Sequence, residues 1–374
     1  MKNKKLNMLL LLIISILVLF FSLKDDFNNI LEQIIKLDIK YFILAIIMLI
    51  ISLLFRTKSL HTVIKKVKPK YKIKEAINLT LETQFFNAIT PFATGGQPFQ
   101  IYTLKKEGIN VTNGTNIIIQ NFISYQIALV LIGIVFVTYN YFTNLLGEST
   151  LLKNLVTLGF TINLVVIIVL FLVAFNKKSN KYIINKIIDL LTKLKIIKNK
   201  KQTKENFNEY IENFHKGASV LLKDKITFIK TISYNLISLL TLYLIPLPVI
   251  YALGFTINPI EVLLASSYTM LIGSFIPIPG GTGGLEYGYV MFYGNFIKNP
   301  VLNASMLIWR FITYYLTLII GTIVFNIKER WSNENRYIYR YISAIYKRSI
   351  NKHWNAKKRT RKTRTRCLYS NSKW

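Results

Sequence analysis

Residues 155–175 read LVTLGFTINLVVIIVLFLVAF and contain no charged side chain. About 20 apolar residues at a rise of 1.5 Å cross the ~30 Å hydrocarbon layer of a bilayer, so this stretch is long enough to span a membrane as a helix. Four further apolar runs resemble it, at residues 6–23, 117–139, 231–253 and 301–327, and the last of them contains Arg310. A soluble protein seldom needs five such runs, and the pattern therefore predicts an integral membrane protein.

The composition agrees with this class. Of the 374 residues 52% are hydrophobic, yet 48 lysines and arginines against 17 acidic residues give a net charge of +31. Such a charge can indicate nucleic acid binding, but the basic residues lie between and after the apolar runs, which argues for membrane topology instead. With one cysteine, Cys367, and three histidines, the sequence offers no intrachain disulfide and no visible set of metal ligands. We expect no cofactor.

The first apolar run, residues 6–23, could be a signal peptide. Its apolar stretch is long for such a signal, and no small-x-small cleavage site follows it. We therefore expect an uncleaved first span.

The distribution of basic residues predicts the orientation of the chain. Segment 56–74 contains eight basic residues and no acid, segment 176–230 contains 14 basic residues, and segment 328–374 contains 15. Basic loops remain on the cytoplasmic side, so these segments and both termini are predicted to lie there. Segment 24–40 holds four acidic residues against three lysines and is predicted to lie outside. This topology places 42 of the 48 basic residues in the cytoplasm.

Two semi-apolar segments are interrupted by glycine and proline. Segment 75–104 is broken by TPFATGGQP at 90–98, and segment 260–297 is broken by PIPGGTGGLE at 277–286. The first could be a plain span, but a hairpin that enters from the cytoplasm and returns keeps the lysines after it inside. The second fits a hairpin that enters from the opposite side. The predicted fold is an all-α integral membrane protein with about six spanning helices plus two re-entrant hairpins.

The hairpins divide the chain into two similar halves. We predict a transmembrane domain at 1–327, in which a first repeat, 41–139, and a second repeat, 231–327, have inverted topology around the basic connector 176–230. A basic cytoplasmic tail follows at 328–374. The spacing Pro-x-x-x-Gly-Gly occurs in both breaks and supports the repeat. The connector is predicted to form amphipathic helix against anionic lipid.

The breaks are the predicted substrate site. Irregular backbone at membrane depth must face protein or a polar cavity, and half-helices that begin there direct positive dipole ends inward, which suits an anionic headgroup. The predicted substrate-binding residues are Thr90, Pro91, Gly95, Gly96, Gln97, Pro98, Pro279, Gly280, Gly281, Gly283, Gly284, Glu286 and Arg310, with Glu82 and Gln84 as weaker candidates. The glycines could instead serve packing and tight turns, and Glu286 could only stabilise its helix N-terminus. Arg310, deep in the last span, is expected to pair with Glu286 or to bind a lipid phosphate.

These two broken segments resemble the hallmark segments of the lysylphosphatidylglycerol synthase transmembrane-region family, also called flippase-like domain proteins. The resemblance covers about residues 5–330 and includes the membrane half of the multiple peptide resistance factor. It implies translocation of a lipid such as lysyl-phosphatidylglycerol across a bacterial-type cytoplasmic membrane, with membrane phospholipids and a separate aminoacyl-lipid synthase as partners. It also implies, as an alternative, a phosphatidylglycerol lysyltransferase or its membrane subunit, linked to resistance against cationic peptides.

The residues themselves favour transport over catalysis. The soluble stretches are about 55 and 47 residues long, too short for a transferase domain, and the sequence shows no nucleophile–base pair, phosphate loop or metal cluster, so we expect no catalytic residues. A small-solute or ion transporter is a weaker alternative, because the long spans lack proton-relay acids. The tail KKRTRKTRTR at 357–366 suits a membrane surface better than RNA. A homo-oligomer is compatible with the sequence.

Overall fold

The computed structural model describes residues 32–146, 150–193, 202–205, 207–208, 211–212, 215, 224–273, 276 and 278–331. These residues form α-helices with short 3-10 and π segments and no strand. The apolar run 6–23 and most of the basic tail lie outside the described residues. The chain divides into two compact units, Met1–Thr322 and Ile323–Trp374, and every contact discussed below lies within the first. The domain boundary predicted at residue 327 stays a prediction.

The helices are numbered along the described residues. They are α1 (Ile39–Val67), α2 (Ile73–Ala88), α3 (Gly96–Lys106), α4 (Val111–Thr143), α5 (Thr150–Phe175), α6 (Lys177–Lys193), α7 (Lys225–Tyr243), α8 (Pro246–Ala252), α9 (Pro259–Gly273), α10 (Gly284–Tyr293), α11 (Val301–Arg310) and α12 (Thr317–Trp331), with a π-helix at Phe311–Leu316 between the last two.

Among the described residues, five segments are long and apolar enough to cross a membrane, namely Ile39–Val67, Val111–Thr143, Asn154–Leu172, Lys225–Ala252 and Val301–Ile327. Four of them overlap the predicted runs 117–139, 155–175, 231–253 and 301–327, and the other contains the predicted span at 41–55. The exposed apolar side chains are those that lipid would solvate; on α1 they recur at helical spacing at Ile43, Ile47, Ile50 and Leu54. The chain is an all-α multi-pass membrane protein, as the sequence predicts.

Helix α1 is longer than the sequence indicated. The predicted loop at 56–74 begins only at Lys68, because α1 continues through Arg56 to Val67. Three lysines, at 58, 65 and 66, lie on this last part of the helix. Basic side chains with long apolar stems are compatible with helix, so charge density marked the end of the apolar run and not the end of the helix.

Each broken segment consists of two short helices that fold back on each other. In the first, the ring of Phe86 on α2 stacks on that of Phe99 on α3, with 4.0 Å between ring centroids. In the second, α9 packs against α10. A 16-residue helix such as α2 reaches only about 24 Å, less than a ~30 Å hydrocarbon layer. The structure thus has hairpins at both positions, as predicted.

The long helices α1 and α7 pack against each other in antiparallel orientation. The backbone amide of Asp38 donates to the carbonyl of Ala252 at 2.8 Å, and at the other end Lys66 pairs with Asp224 at 2.6 Å. The same order of elements begins at α1 and again at α7. A long helix, a two-helix hairpin and a second long helix occur once at α1–α4 and once from α7 to α12.

The predicted connector contains the helix α6. Its lysines Lys177 and Lys181 pair with Glu212 at 3.2 and 2.8 Å. These two ammonium groups lower the pKa of the Glu212 carboxyl to about 2. Most of segment 194–223 lies outside the described residues, and its predicted amphipathic contact with lipid stays a prediction.

Candidate functional site

The second break turns the chain between α9 and α10 through a single 3-10 turn, Pro279–Gly281. Gly280, Gly281 and Gly283 have φ angles of +67°, +63° and +86°, in the left-handed region that glycine enters without strain. A Cβ on Gly280 would also lie 2.2 Å from Cε2 of Tyr314. These glycines, predicted as binding residues, are favoured at all three positions by the backbone path, and at Gly280 also by close packing.

The first break begins with the same backbone shape. Its 3-10 turn is Pro91–Ala93, in which Phe92 and Ala93 have φ angles of +54° and +52°. Thr94 follows this turn and Thr282 follows the second one, and each hydroxyl donates at 3.0 Å to the carbonyl of the proline three residues earlier. The backbones then diverge, because ψ is −9° at Thr94 and 138° at Thr282. The repeated sequence Pro-x-x-Thr-Gly-Gly therefore corresponds to a repeated 3-10 turn that continues differently in the two breaks.

The two breaks differ in strain. Left-handed backbone costs a residue with a side chain about 1–2 kcal/mol, and the first break holds two such residues, Phe92 and Ala93. The second break has Gly280 and Gly281 in the same places. Strained backbone persists only where surrounding contacts impose it, and it concentrates at functional sites. The first break is thus the more strained of two equivalent turns.

A buried ion pair holds the second break in place. Nε of Arg310 donates to Oε1 of Glu286 at 2.6 Å, and the side chains are only 4% and 10% exposed. The other carboxylate oxygen of Glu286 accepts from the amide of Gly283 at 2.8 Å, while Nη2 of Arg310 donates to the carbonyl of Gly280 at 3.0 Å. Both ends of the glycine turn are therefore attached to the last spanning segment. The carboxylate of Glu286 therefore neutralises the charge of Arg310.

Tyr314 connects the two breaks. Its ring lies 4.8 Å from the guanidinium carbon of Arg310, and its hydroxyl donates to the carbonyl of Ala88 at 3.2 Å, at the end of the first hairpin's α2. The two 3-10 turns also contact each other directly. The π-helix Phe311–Leu316 carries Tyr314 at this position, and π segments inside α-helices are frequent at functional sites.

Protein oxygens already occupy several backbone donors that the sequence suggested for an anion. The amide of Gly95 donates to Oγ1 of Thr90 at 2.9 Å, and the amide of Gly96 donates to Oδ1 of Asn87 at 3.0 Å. The amide of Gly283 is occupied in the same way. At these positions the helix N-termini are capped from within the protein, so an anion would need a different donor.

The remaining predicted residues differ in exposure and packing. Pro91 and Pro98 are exposed, whereas Gln97 is partly buried, and its Oε1 has no hydrogen-bond partner in the described part of the chain. Gly284 is a packing glycine, because a Cβ there would lie 1.7 Å from Cδ1 of Ile276. Of the two weaker candidates, Glu82 is 1% exposed in α2.

Arg56 is a charged residue at the site that sequence reasoning assigned to a loop. It lies inside α1, where Nη1 donates to Oε1 of Gln84 on α2 at 3.1 Å. Its guanidinium carbon lies 5.4 Å from the ring centroid of Tyr125 on α4. The position of Arg56 directly after an apolar run concealed it, since such a residue usually marks a membrane boundary.

A buried polar network lies between the two halves. The side-chain amide of Asn235 donates to Oγ of Ser59 at 2.8 Å, and that hydroxyl donates to Oδ1 of Asn121 at 2.7 Å. The hydroxyls of Ser124 and Thr231 are 2.9 Å apart. These contacts join α1 and α4 to α7 in the membrane interior, where polar side chains associate helices. Across the described ranges, no group of three or more His, Cys, Asp or Glu residues could hold a metal ion.

Comparison with known proteins agrees with this architecture. Over 260 residues the chain is 25% identical to a UPF0104 membrane protein of Archaeoglobus fulgidus, an alignment that covers 67% of this chain and 75% of that protein. Over 328 residues it is 25% identical to a UPF0104 membrane protein of Pyrococcus horikoshii, with 84% and 95% covered.

The family comparison covers most of the chain. The profile described as "Lysylphosphatidylglycerol synthase TM region" matches residues 8–321, which include both hairpins and every candidate site residue. By this match and by its all-helical membrane fold, the chain belongs to the family of lysylphosphatidylglycerol synthase transmembrane regions.

Proposed function

We propose that this protein is a lipid translocase for an anionic or aminoacylated phospholipid such as lysyl-phosphatidylglycerol. The observation that carries the proposal is the contact between the two glycine breaks, which Tyr314 links to each other. Irregular backbone at membrane depth is tolerated where it lies against protein or a polar cavity. Transporters with inverted repeats place their substrate where such interrupted segments meet.

The packing of the two halves supports the proposed inversion. Because α1 and α7 are antiparallel, the hairpin that follows each of them is proposed to enter the membrane from the opposite side. In this proposal both termini and the basic segments lie in the cytoplasm of a bacterial-type cell membrane. Membrane phospholipids are the proposed partners.

Dithionite bleaching of fluorescent lipid tests the proposal. Purified protein is reconstituted into liposomes that contain NBD-labelled phosphatidylglycerol or phosphatidylcholine in both leaflets. Protein-free liposomes lose only the outer-leaflet signal, whereas a translocase exposes the inner pool as well. We expect faster loss of the inner signal of the anionic lipid than of the neutral one. Equal, slow loss in protein-containing and protein-free liposomes would refute translocation.

Two glycines provide a matched pair of variants for this assay. Gly283 and Gly254 have φ angles of +86° and +75°, and a Cβ would meet no atom within 4 Å at either position. Both positions therefore have a positive φ that leucine rarely adopts and open space around the added side chain, but only Gly283 lies in a break. Gly283→Leu is expected to abolish translocation, and Gly254→Leu is expected to preserve it. If the two variants had equal effects on translocation, transport would not depend on the break.

A second candidate function rests on the description of the family, which names a synthase region. In this alternative the chain is a phosphatidylglycerol lysyltransferase or the membrane subunit of one, with the transferase supplied by a partner. Expression in cells that contain phosphatidylglycerol, followed by measurement of total and outer-leaflet aminoacyl lipid, separates the two functions. A change in total amount favours synthesis, and a change in sidedness alone favours transport.

A further inference from the structure

Arg56 carries a positive charge that no carboxylate of the described residues neutralises. Its contacts are one neutral amide, Gln84, and the face of one aromatic ring, Tyr125. Arg310 differs, because Glu286 neutralises it at 2.6 Å. Of these two arginines in spanning helices, Arg56 is therefore the one whose charge is available to a ligand.

Arg56 lies near one end of the apolar face of α1. The exposed side chains Ile43, Ile47, Ile50 and Leu54 precede it, and the exposed Lys58 follows it two residues later. The 29 residues of α1 measure about 44 Å, more than a ~30 Å hydrocarbon layer, so the turns from Lys58 to Lys66 extend beyond the apolar face. Arg56 differs from Lys58 in being partly buried, between Gln84 and Tyr125. Its guanidinium therefore lies where the hydrocarbon meets the lipid headgroups.

The neighbours of Arg56 belong to the first hairpin. Gln84 lies on α2, one helical turn before Ala88, whose carbonyl accepts the bond from Tyr314. Arg56 is therefore held beside the helix that leads directly into the first break. A guanidinium has five N–H donors in a planar fork, and the contact with Gln84 uses one nitrogen of it. The rest of the fork suits bidentate binding of a phosphate or carboxylate.

We propose that Arg56 binds the phosphate of an anionic phospholipid at the boundary between hydrocarbon and headgroups, with Gln84 and Tyr125 as the residues that position it. This inference rests on the proposed function for its context, since it names the group that recognises the lipid. It assigns phosphate recognition to the first repeat. Arg310 then acts as a positioning residue for the second break and does not contact lipid.

Lipid binding to the detergent-purified protein, followed by native mass spectrometry, tests this assignment separately from transport. The probes are phosphatidylglycerol, diacylglycerol with the same acyl chains, and soluble glycerol phosphate. The wild-type protein should prefer phosphatidylglycerol. Arg56→Gln should weaken binding of phosphatidylglycerol about tenfold, which corresponds to about 1.4 kcal/mol, and leave binding of diacylglycerol, which has no phosphate, unchanged. Arg56→Lys should recover part of the preference.

Two more variants keep the test decisive. Lys58→Gln removes the same charge from an exposed position two residues away, where the ammonium lies over the ring of Phe55, and it should bind lipid as the wild type does. Gln84→Glu places a carboxylate on the partner of Arg56. It neutralises the arginine while preserving the contact, so it should fold and still lose the preference for phosphatidylglycerol.

Each outcome decides between the two proposals. If Arg56→Gln and Gln84→Glu bind phosphatidylglycerol as the wild type does, the assignment of Arg56 is wrong, and translocation by the wild type still supports the proposed function. If binding depends on Arg56 but the wild type translocates no lipid, the site stands and the proposed function fails. Competition by glycerol phosphate at equal concentration would show a site for free phosphate, which overturns the lipid assignment.

Discussion

Ser52 and Ser238 donate hydrogen bonds to each other's backbone. Oγ of Ser52 donates to the carbonyl of Ser238, and Oγ of Ser238 donates to the carbonyl of Ser52, both at 2.8 Å. Ser52 lies 13 residues after Ile39, the first residue of α1, and Ser238 lies 13 residues after Lys225, the first residue of α7. Equivalent positions that contact each other reciprocally are what a two-fold relationship produces. The pair supports an inverted repeat whose axis passes between these serines.

A disulfide between these positions would test the contact. In a Cys367→Ser background, Ser52→Cys with Ser238→Cys should cross-link under mild oxidation, because the two Oγ atoms are 3.2 Å apart. Proteolysis in the basic connector should then leave the two halves joined until a reductant is added. The control pairs Ser52→Cys with Ile237→Cys, since the Ile237 side chain is 40% exposed. Equal cross-linking of both pairs would contradict the antiparallel packing described here.

The ion pair between Glu286 and Arg310 should behave as a buried unit. Arg310→Met leaves a carboxylate buried without its partner and is expected to cost about 3–5 kcal/mol of unfolding free energy. The double variant Arg310→Met, Glu286→Leu should cost less than the sum of the single variants, because no isolated charge remains. Denaturation in detergent, analysed as a double-mutant cycle, measures this coupling.

Arg310→Lys is the conservative control for that cycle. A lysine keeps the charge but lacks the fork that reaches both Glu286 and the carbonyl of Gly280, so it should rescue only part of the loss. Full rescue by lysine would mean that charge alone matters and that the attachment of the turn does not. Additive single effects would mean that the two residues act independently.

Exchange of alanine and glycine at Ala93 and Gly281, which occupy corresponding places in the two breaks, should measure the backbone strain of the first break through protein stability. Ala93→Gly relieves left-handed backbone at a φ of +52° and is expected to stabilise the protein by about 0.5–1 kcal/mol after the entropy of glycine is subtracted. Gly281→Ala introduces the same strain at a φ of +63° and should destabilise it. Thermal unfolding of both variants in one detergent gives the comparison. Destabilisation by Ala93→Gly would show that the alanine side chain contributes more than its backbone costs.

The ion pair between Lys66 and Asp224 predicts a specific pH dependence. The ammonium of Lys66, together with the amide of Thr227, lowers the pKa of the Asp224 carboxyl from 3.8 to about 2. A carboxyl with a lowered pKa contributes stability above about pH 4 and loses it as the pH falls through about 2. Asp224→Asn should therefore reduce thermal stability by the same small amount at every pH from 5 to 8. A difference that changes across this range would indicate another titrating partner.

The sequence predicted the membrane class because hydrocarbon imposes a length on every span. The two hairpins were predicted for a related reason, since clustered glycine and proline at 91–96 and 279–284 cannot continue a helix. The pair of Glu286 and Arg310 was one of two arrangements expected for Arg310, the other being a bond to a lipid phosphate, because a charge in apolar surroundings needs a partner. These are the features that local composition determines.

Other parts of the site depend on tertiary packing and were not visible. Arg56 was assigned to a loop because a charge after an apolar run resembles a boundary, although Gln84 and Tyr125 accommodate it within a helix. Tyr314 resembles any aromatic residue of a span, and only the fold brings its hydroxyl to the carbonyl of Ala88. The shared threonines Thr94 and Thr282 were present in the sequence, and an alignment of the two breaks by every position would have identified them.

The pairing of Glu286 with Arg310 also determines how the membrane potential acts on the second break. Movement of one elementary charge through 100 mV involves about 2.3 kcal/mol, whereas a joined pair of opposite charges has no net charge to move. The second break can therefore rearrange at almost no electrical cost. Arg56 differs, because no carboxylate of the described residues pairs with it. Phosphatidylglycerol would balance its charge, whereas lysyl-phosphatidylglycerol, with two ammonium groups and one phosphate, would leave a net positive charge. The membrane potential would therefore act differently on these two lipids at Arg56.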